Sequence, residues 1–184
     1  MRPTLVSLFA GLTLASLALP ATAGEVYVGY AKGLNDALIQ SGSIASADGG
    51  ELGVSLASPH YWTLSQPYDL NLRLELAASH LDGEHRGGHD EMDIWALRPV
   101  LRWQAGSTWF VDAGLGYAHL SDEQFEAIRM GSRDNFSIVV GAGWQLDEAR
   151  RWSLNLRYNH FSNGYTSTPN PGLDYATTTL AYRF

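Results

Sequence analysis

Four stretches of this chain alternate so strictly that only a β-strand can use the pattern. In Asp69–Ser79, Leu70, Leu72, Leu74 and Leu76 alternate with Asn71, Arg73 and Glu75. Thr108–Ala118 sets Trp109, Val111, Ala113, Leu115 and Tyr117 against Phe110, Asp112, Gly114 and Gly116. Asn135–Gln145 sets Phe136, Ile138, Val140, Ala142 and Trp144 against Asn135, Ser137, Val139, Gly141 and Gly143. In the next stretch Trp152, Leu154, Leu156 and Tyr158 alternate with Ser153, Asn155, Arg157 and Asn159. A helix would scatter each set around its axis, whereas a strand gathers it onto one face.

Weaker alternation at Glu25–Lys32, Gly49–Ala57, Met92–Trp103 and Asp174–Phe184 brings the expected count to eight strands. Strands of roughly nine to eleven residues, apolar on one face and polar or small on the other, predict an all-β, eight-stranded antiparallel transmembrane β-barrel. Inward glycines suit an interior that side chains must fill. Trp95, Trp103, Trp109, Tyr117, Trp144, Trp152 and Tyr182 lie near strand ends, where interfacial aromatic girdles form. Phe184 closes the last alternating strand.

The connections alternate in length. Those near 33–48, 80–91, 119–134 and 161–173 are long, and those at 104–107 and 146–150 are short. With both termini in the periplasm, the long loops are extracellular. The segment 58–68, SPHYWTLSQPY, reads as a connection longer than a usual periplasmic turn. The competing soluble fold is a lipocalin-type barrel with its apolar face turned inward around a ligand. It would expose the glycine-rich polar face and leave the aromatic strand ends without a reason.

Ahead of this domain, residues 1–23 carry Arg2, an apolar run from Leu5 to Leu19 and the small-x-small cleavage signal Ala21-Thr22-Ala23. They predict a secretory signal peptide, leaving residues 24–184 as one barrel domain. That segment holds one Arg and no acid, so 11 of the 12 Lys and Arg face all 19 Asp and Glu in the mature chain. Such acidity, with no basic stripe, argues against nucleic acid as a partner. There is no cysteine, which excludes thiol and disulfide chemistry. No run of about 18 apolar residues follows residue 23, so no transmembrane helix is predicted.

The residues that break the pattern lie at the end. His160 and Ser162 continue the lipid-facing parity of Trp152 to Tyr158, and counting back from Phe184 puts Asp174 on the same outward face. If Ser162 opposes Gly172, then His160 stands opposite Asp174, and directly opposed Cβ atoms lie about 4.5–5.5 Å apart. A serine hydroxyl needs a base to accept its proton, and a carboxylate behind imidazole fixes the tautomer and stabilises imidazolium. Ionisable groups facing lipid are costly, less so at the rim. The plainer reading makes them rim residues opening a polar loop, since H-x-S alone is a weak signal.

The stretch His160-Phe161-Ser162-Asn163, with Pro169-Asn170, Gly172 and Asp174 after it, resembles the outer-membrane lipid A 3-O-deacylase (PagL) family, whose pattern is H-x-S-N followed by P-N-x-G-x-E. The likeness extends weakly to Asp112-Ala113-Gly114-Leu115-Gly116 and Gly141-Ala142-Gly143. It implies Ser162 as nucleophile, His160 as general base and Asp174 as orienting acid, where the family carries the longer Glu. It also implies Asn170 as the oxyanion donor, with Asn163 and Gly164 as helpers, although Tyr165 stands where the family often has Gly. The implied reaction removes the ester-linked 3-hydroxyacyl chain at position 3 of lipid A without cofactor or metal. Lipopolysaccharide and outer-membrane lipids are then the partners, in the cell outer membrane. A homodimer is compatible with this, though no face declares itself.

Two rivals stay open: a non-catalytic outer-membrane barrel, and another lipid-modifying barrel such as a phospholipase or acyltransferase. Lesser features have bland readings. The segment HLDGEHRGGHDEMD at 80–93, with His80, His85 and His89, reads as a solvated loop rather than a metal site. Arg98 and Arg102 point inward, where Asp93, Glu75 or Asp112 are their expected partners. Lys32, Arg129 and Arg133 lie in or near the long loops, within reach of lipid A phosphates.

Overall fold

The computed structural model describes residues 24–35, 42–65, 68–84 and 89–184; the expected signal peptide and His85 lie outside them. Eight long strands close into an antiparallel barrel: β1 (Gly24–Gly33), β2 (Asp48–Ser65), β3 (Tyr68–Asp82), β4 (Glu91–Ala105), β5 (Trp109–Leu120), β8 (Asp134–Gln145), β9 (Trp152–Ser162) and β10 (Leu173–Arg183). Each pairs with its sequence neighbour among them, and β1 closes the ring on β10. Between β5 and β8 a short hairpin, β6 (Gln124–Phe125) and β7 (Ile128–Arg129), forms inside what the sequence marks only as a long loop. A two-residue strand carries too little alternation to register.

The expected 58–68 connection is mostly strand. β2 runs on to Ser65 and β3 begins at Tyr68, with register shifts between Ala57 and Tyr61 and between Thr63 and Ser65. Bulges break the period-two pattern locally while pairing continues, which is why the segment reads as a loop.

One face of the long strands is apolar, and in all of them but β2 it carries exposed large side chains among the described residues. Leu72, Leu74, Leu76, Leu97, Leu101, Leu115, Val140, Leu154, Leu156 and Leu180 together make a belt around the outside. Its lower edge, at the end with the short turns, carries Tyr68 stacked on Trp103 (5.5 Å), Trp103 edge-on to Trp109 (5.3 Å), and Trp152 against Tyr182 (4.8 Å). Gly24 and Phe184 meet at that same end, Phe184 N donating to Gly24 O at 3.0 Å. The opposite edge, at the end with the long loops, carries Tyr30, Trp95, Tyr117 and Phe136.

The interior is filled, in two layers. Through the middle and the turn end runs one chain of ion pairs: Arg98–Glu75, Glu75–Arg157, Arg157–Asp112, Asp112–Arg102, Arg102–Glu25 and Glu25–Arg73, all at 2.6–3.1 Å. Buried charges persist only when paired in this way. The pairing expected for Arg98 and Arg102 holds for Glu75 and Asp112 but not for Asp93, which has odd parity in β4 and faces outward to His80 at 2.7 Å. Glycine makes room for the guanidinium groups: a Cβ on Gly141 would come within 2.6 Å of Arg157 Cγ.

Toward the loop end the filling turns apolar. Leu81, Met92, Ile94, Leu120, Phe161 and Leu173 from the strands join Ile44, Phe125, Ile128 and Met130 from the loops in one buried cluster. Glu126 ties the loops together above it, accepting from Ser46 Oγ (3.2 Å) and from the Glu84 backbone N–H. The loops therefore form a packed cap, and the ends of β9 and β10 are rooted in its core.

Candidate active site

The last two strands pair with Asp174 opposite His160 and Leu173 opposite Phe161. Period two sends Phe161 and Leu173 into the cap core and holds His160, Ser162 and Asp174 to the outward parity. Yet His160 and Asp174 are almost fully enclosed, with side chains 3% and 0% exposed. Neighbouring chain closes in on both sides. Ile138 of β8 pairs with His160. Leu34 and Gly42 stand at the other flank: Leu34 N donates to Asp174 O at 3.0 Å and Gly42 bridges Leu173.

Within that enclosure His160 Nδ1 lies 2.6 Å from Asp174 Oδ1. A carboxylate only accepts, so Nδ1 carries the proton of the neutral ring and Nε2 keeps its lone pair. The aspartate reaches the ring directly, with no need of the longer side chain that the sequence pattern has at this place. Its second oxygen is also engaged, accepting from Tyr158 Oη at 2.7 Å. Nothing in the sequence sets Tyr158 apart, because an outward aromatic in this strand reads as part of the lipid belt.

Ser162 ends β9, half-buried, with Phe136 of β8 as its register partner. It stands two residues from His160 on one face, roughly 6.8 Å along the strand by Cα. Among the described residues Ser162 Oγ makes no hydrogen bond to His160. The two side chains are neighbours, and catalytic hydrogen bonds of resting enzymes are often long.

The loop that follows is built on one asparagine. Asn163 is 1% exposed. Its Nδ2 donates to Met130 O (2.8 Å) and Pro169 O (3.2 Å), and its Oδ1 accepts from Tyr165 N (2.9 Å). Every polar atom of that side chain is thus engaged, holding the loop together and tying it to Met130 beyond β7. Asn163 N in turn donates to Asn170 Oδ1 at 2.9 Å, which swings Asn170 back beside the end of β9 and leaves its NH2 group as a donor. Gly164 follows at φ 60°, and a Cβ there would press to 2.7 Å from the Phe136 ring. Tyr165, at the family's usual glycine place, also adopts positive φ (61°), so the loop keeps a left-handed turn without glycine.

The other candidates fall elsewhere. Lys32 sits 3.9 Å from Asp48 at the loop end of β1, while Arg129 and Arg133 are exposed on β7 and just before β8. His80 pairs with Asp93 and Asp82 on the outer face, and His89 lies 3.3 Å from Asp122. No group of three or more potential metal ligands forms among the described residues. A polar cavity lined by Glu25, Arg73, Arg102, Arg150 and Arg183 opens at the turn end, far from His160.

One feature escapes the reading of the sequence altogether. His119-Leu120-Ser121 is a second H-x-S, at the loop end of β5, and His119 Nδ1 lies 2.8 Å from Asp134 Oδ1 across the strands.

Known proteins resemble this arrangement in both sequence and fold. The family model described as lipid A 3-O-deacylase (PagL) matches residues 48–183, from the first residue of β2 to the last of β10. The lipid A deacylase PagL of Bordetella bronchiseptica is 37% identical over 119 residues, a match spanning 62% of this chain and 64% of that protein. The crystal structure of the outer membrane enzyme PagL superposes on 87% of this chain and 98% of its own, with TM-score 0.67 at 20% identity. A de novo designed transmembrane β-barrel (TM-score 0.53, 11% identity, 90% and 98% covered) shares the fold alone. So does Ail, the attachment invasion locus protein of Yersinia pestis (0.51, 10%, 89% and 99%). The family match runs through seven of the eight barrel strands and includes His160, Ser162, Asn170 and Asp174: the chain belongs to the lipid A 3-O-deacylase (PagL) family.

Proposed function

We propose that this chain is a lipid A 3-O-deacylase, a serine esterase that hydrolyses the ester-linked 3-hydroxyacyl chain at position 3 of lipid A in the outer leaflet of the outer membrane. The observation that carries the reading is the enclosed His160–Asp174 pair on the outward face, with Ser162 beside it at the loop end. Ester carbonyls of a glycolipid lie just beneath its sugar head, at the level of a barrel's rim. A site there meets its substrate laterally, from the membrane.

The reaction follows from what each group can do. Ser162 Oγ attacks the ester carbonyl as His160 Nε2 takes its proton, and Asp174 stabilises the imidazolium through Nδ1. Asn170 Nδ2 donates to the oxyanion, while Asn163 holds Asn170 in place. The intermediate collapses by breaking the bond to the sugar oxygen, which receives the proton from His160 and leaves as the 3-hydroxyl. Water then attacks the acyl-serine, His160 again acting as base, and a free 3-hydroxy fatty acid departs. These steps call on side chains and water alone.

Mass spectrometry of lipid A from cells expressing the wild-type chain or Ser162→Ala tests this. The expected result is loss of one 3-hydroxyacyl group with the first and none with the second. Unchanged lipid A in both, with folded protein in the outer membrane, overturns the proposal.

A further inference from the structure

The outward row of side chains that contains Ser162 continues across the barrel. Ser162 pairs with Phe136 on β8, and Phe136 with Tyr117 on β5. One step nearer the loop end, Trp95 on β4 pairs with His119, and His119 with Asp134. Asp134 is therefore the diagonal neighbour of Ser162, about 7–8 Å away across the strands.

These groups are organised. His119 Nδ1 and Tyr117 Oη both contact Asp134 Oδ1, and among the described residues Oδ2 has no hydrogen-bond partner. The Trp95 ring lies tilted against the His119 ring, 6.3 Å between centroids. Trp95 and Tyr117 are 40% and 50% exposed. An ionisable cluster on the membrane face is costly unless it stands at headgroup level, where aromatic residues also settle. Among the other outward His–Asp contacts of the described residues, those of His80 with Asp93 and Asp82 are two strands further from the serine, and His160–Asp174 is enclosed. The pair on β5 and β8 is the one that borders the serine and stays open.

An aromatic face beside a carboxylate and an imidazole matches the chemistry of a sugar ring, with its C–H face and its hydroxyl edge. We infer that Trp95, Tyr117, His119 and Asp134 form a platform that binds the sugar head of the glycolipid and sets its ester over Ser162. They act as positioning residues, and the inference rests on the reaction proposed above. Recognition runs through Asp134 Oδ2 and His119 to sugar hydroxyls, with Trp95 and Tyr117 against the ring face.

The test compares two substrates on the full-length protein in mixed micelles: purified lipid A, and a long-chain p-nitrophenyl ester that has the carbonyl and no sugar. In His119→Ala and Asp134→Asn the ratio of kcat/KM for lipid A to that for the simple ester falls about tenfold, the size of one or two lost hydrogen bonds, and the change lies in KM. Partial misfolding lowers both rates and leaves the ratio alone. Binding of fluorescent lipid A to the Ser162→Ala protein is measured in parallel, with and without Asp134→Asn. Weakened binding on Asp134→Asn supports the platform even where wild type cleaves no lipid A, which would sink the reaction only. Cleavage of lipid A by wild type, with ratio and binding unchanged in the variants, overturns the platform and leaves the reaction standing. No binding to Ser162→Ala overturns both.

Discussion

The end of β9 and the end of β5 carry the same three residue types in the same arrangement. Each has His-x-Ser at its loop end, Ser162 as the last residue of β9 and Ser121 one residue past β5, and an aspartate opposite the histidine, at 2.6 Å for His160–Asp174 and 2.8 Å for His119–Asp134. They part in their surroundings. The β9 pair is enclosed, whereas side chains of the β5 pair are 44% and 64% exposed. Water competes for the second pair and weakens its electrostatic coupling; the first is held where an imidazolium depends on its carboxylate. The serines differ too. Ser121 Oγ accepts from Asp93 N at 3.0 Å and lies 3.6 Å from Met92 Sδ, which ties it to β4. Among the described residues Ser162 Oγ has no such tether. After Ser121, Asp122 caps Gln124 N and starts the β6–β7 hairpin, while after Ser162, Asn163 organises a loop that returns Asn170 to the site. The residue types of the proposed triad recur at this rim; enclosure, an untied hydroxyl and a returning donor distinguish the set proposed as reactive from its look-alike.

Substitution sharpens that contrast, most strongly at the base. His160→Ala lowers kcat on lipid A by on the order of 10⁴-fold, and His119→Ala acts chiefly on KM, by about tenfold. Equal losses in kcat, measured on folded protein in micelles, would break the distinction. Asp174→Asn replaces the carboxylate that fixes the His160 tautomer with an uncharged amide able to present an N–H to Nδ1, and costs on the order of 10⁴-fold in kcat, again with no matching loss in kcat for Asp134→Asn. Asn170→Ala costs about 10²-fold in kcat as an oxyanion donor. Asn163→Ala gives a similar loss accompanied by faster proteolysis of the loop at 163–172, which Asn170→Ala does not show. The smallest effect is at Tyr158: Tyr158→Phe removes one of the two side-chain hydrogen bonds described at the Asp174 carboxylate and lowers kcat about threefold to tenfold, the worth of one ordinary hydrogen bond.

The barrel was legible because its signal is long and repeated. Ten residues of strict alternation in β3, β5, β8 and β9 leave no other regular structure; the parity count from Phe184 puts Asp174 on the outward face, and the register in which Ser162 faces Gly172 sets it opposite His160, as found. What escaped has physical reasons. Bulges in β2 disguise strand as loop, and the two-residue strands of β6 and β7 are too short to show a period. Asp93 was misassigned to the interior, although its parity sends it to His80. Leu34 and Gly42, which flank the strand of Asp174, come from beyond β1, and no pattern within β9 or β10 reports them. Glu126, buried at 4% and binding two loops, stands in a segment whose sequence reads as polar surface. Alternation reports which way a side chain points; packing by distant segments decides what that direction meets.

The central claim is that Ser162, and not Ser121, is the reactive hydroxyl. A long-chain fluorophosphonate reacted with the folded protein in micelles, followed by peptide mass spectrometry, tests it directly. The account predicts an adduct on Ser162 that disappears in His160→Ala and persists in His119→Ala. An adduct on Ser121, or no adduct on Ser162 in a protein that still deacylates lipid A, would contradict it.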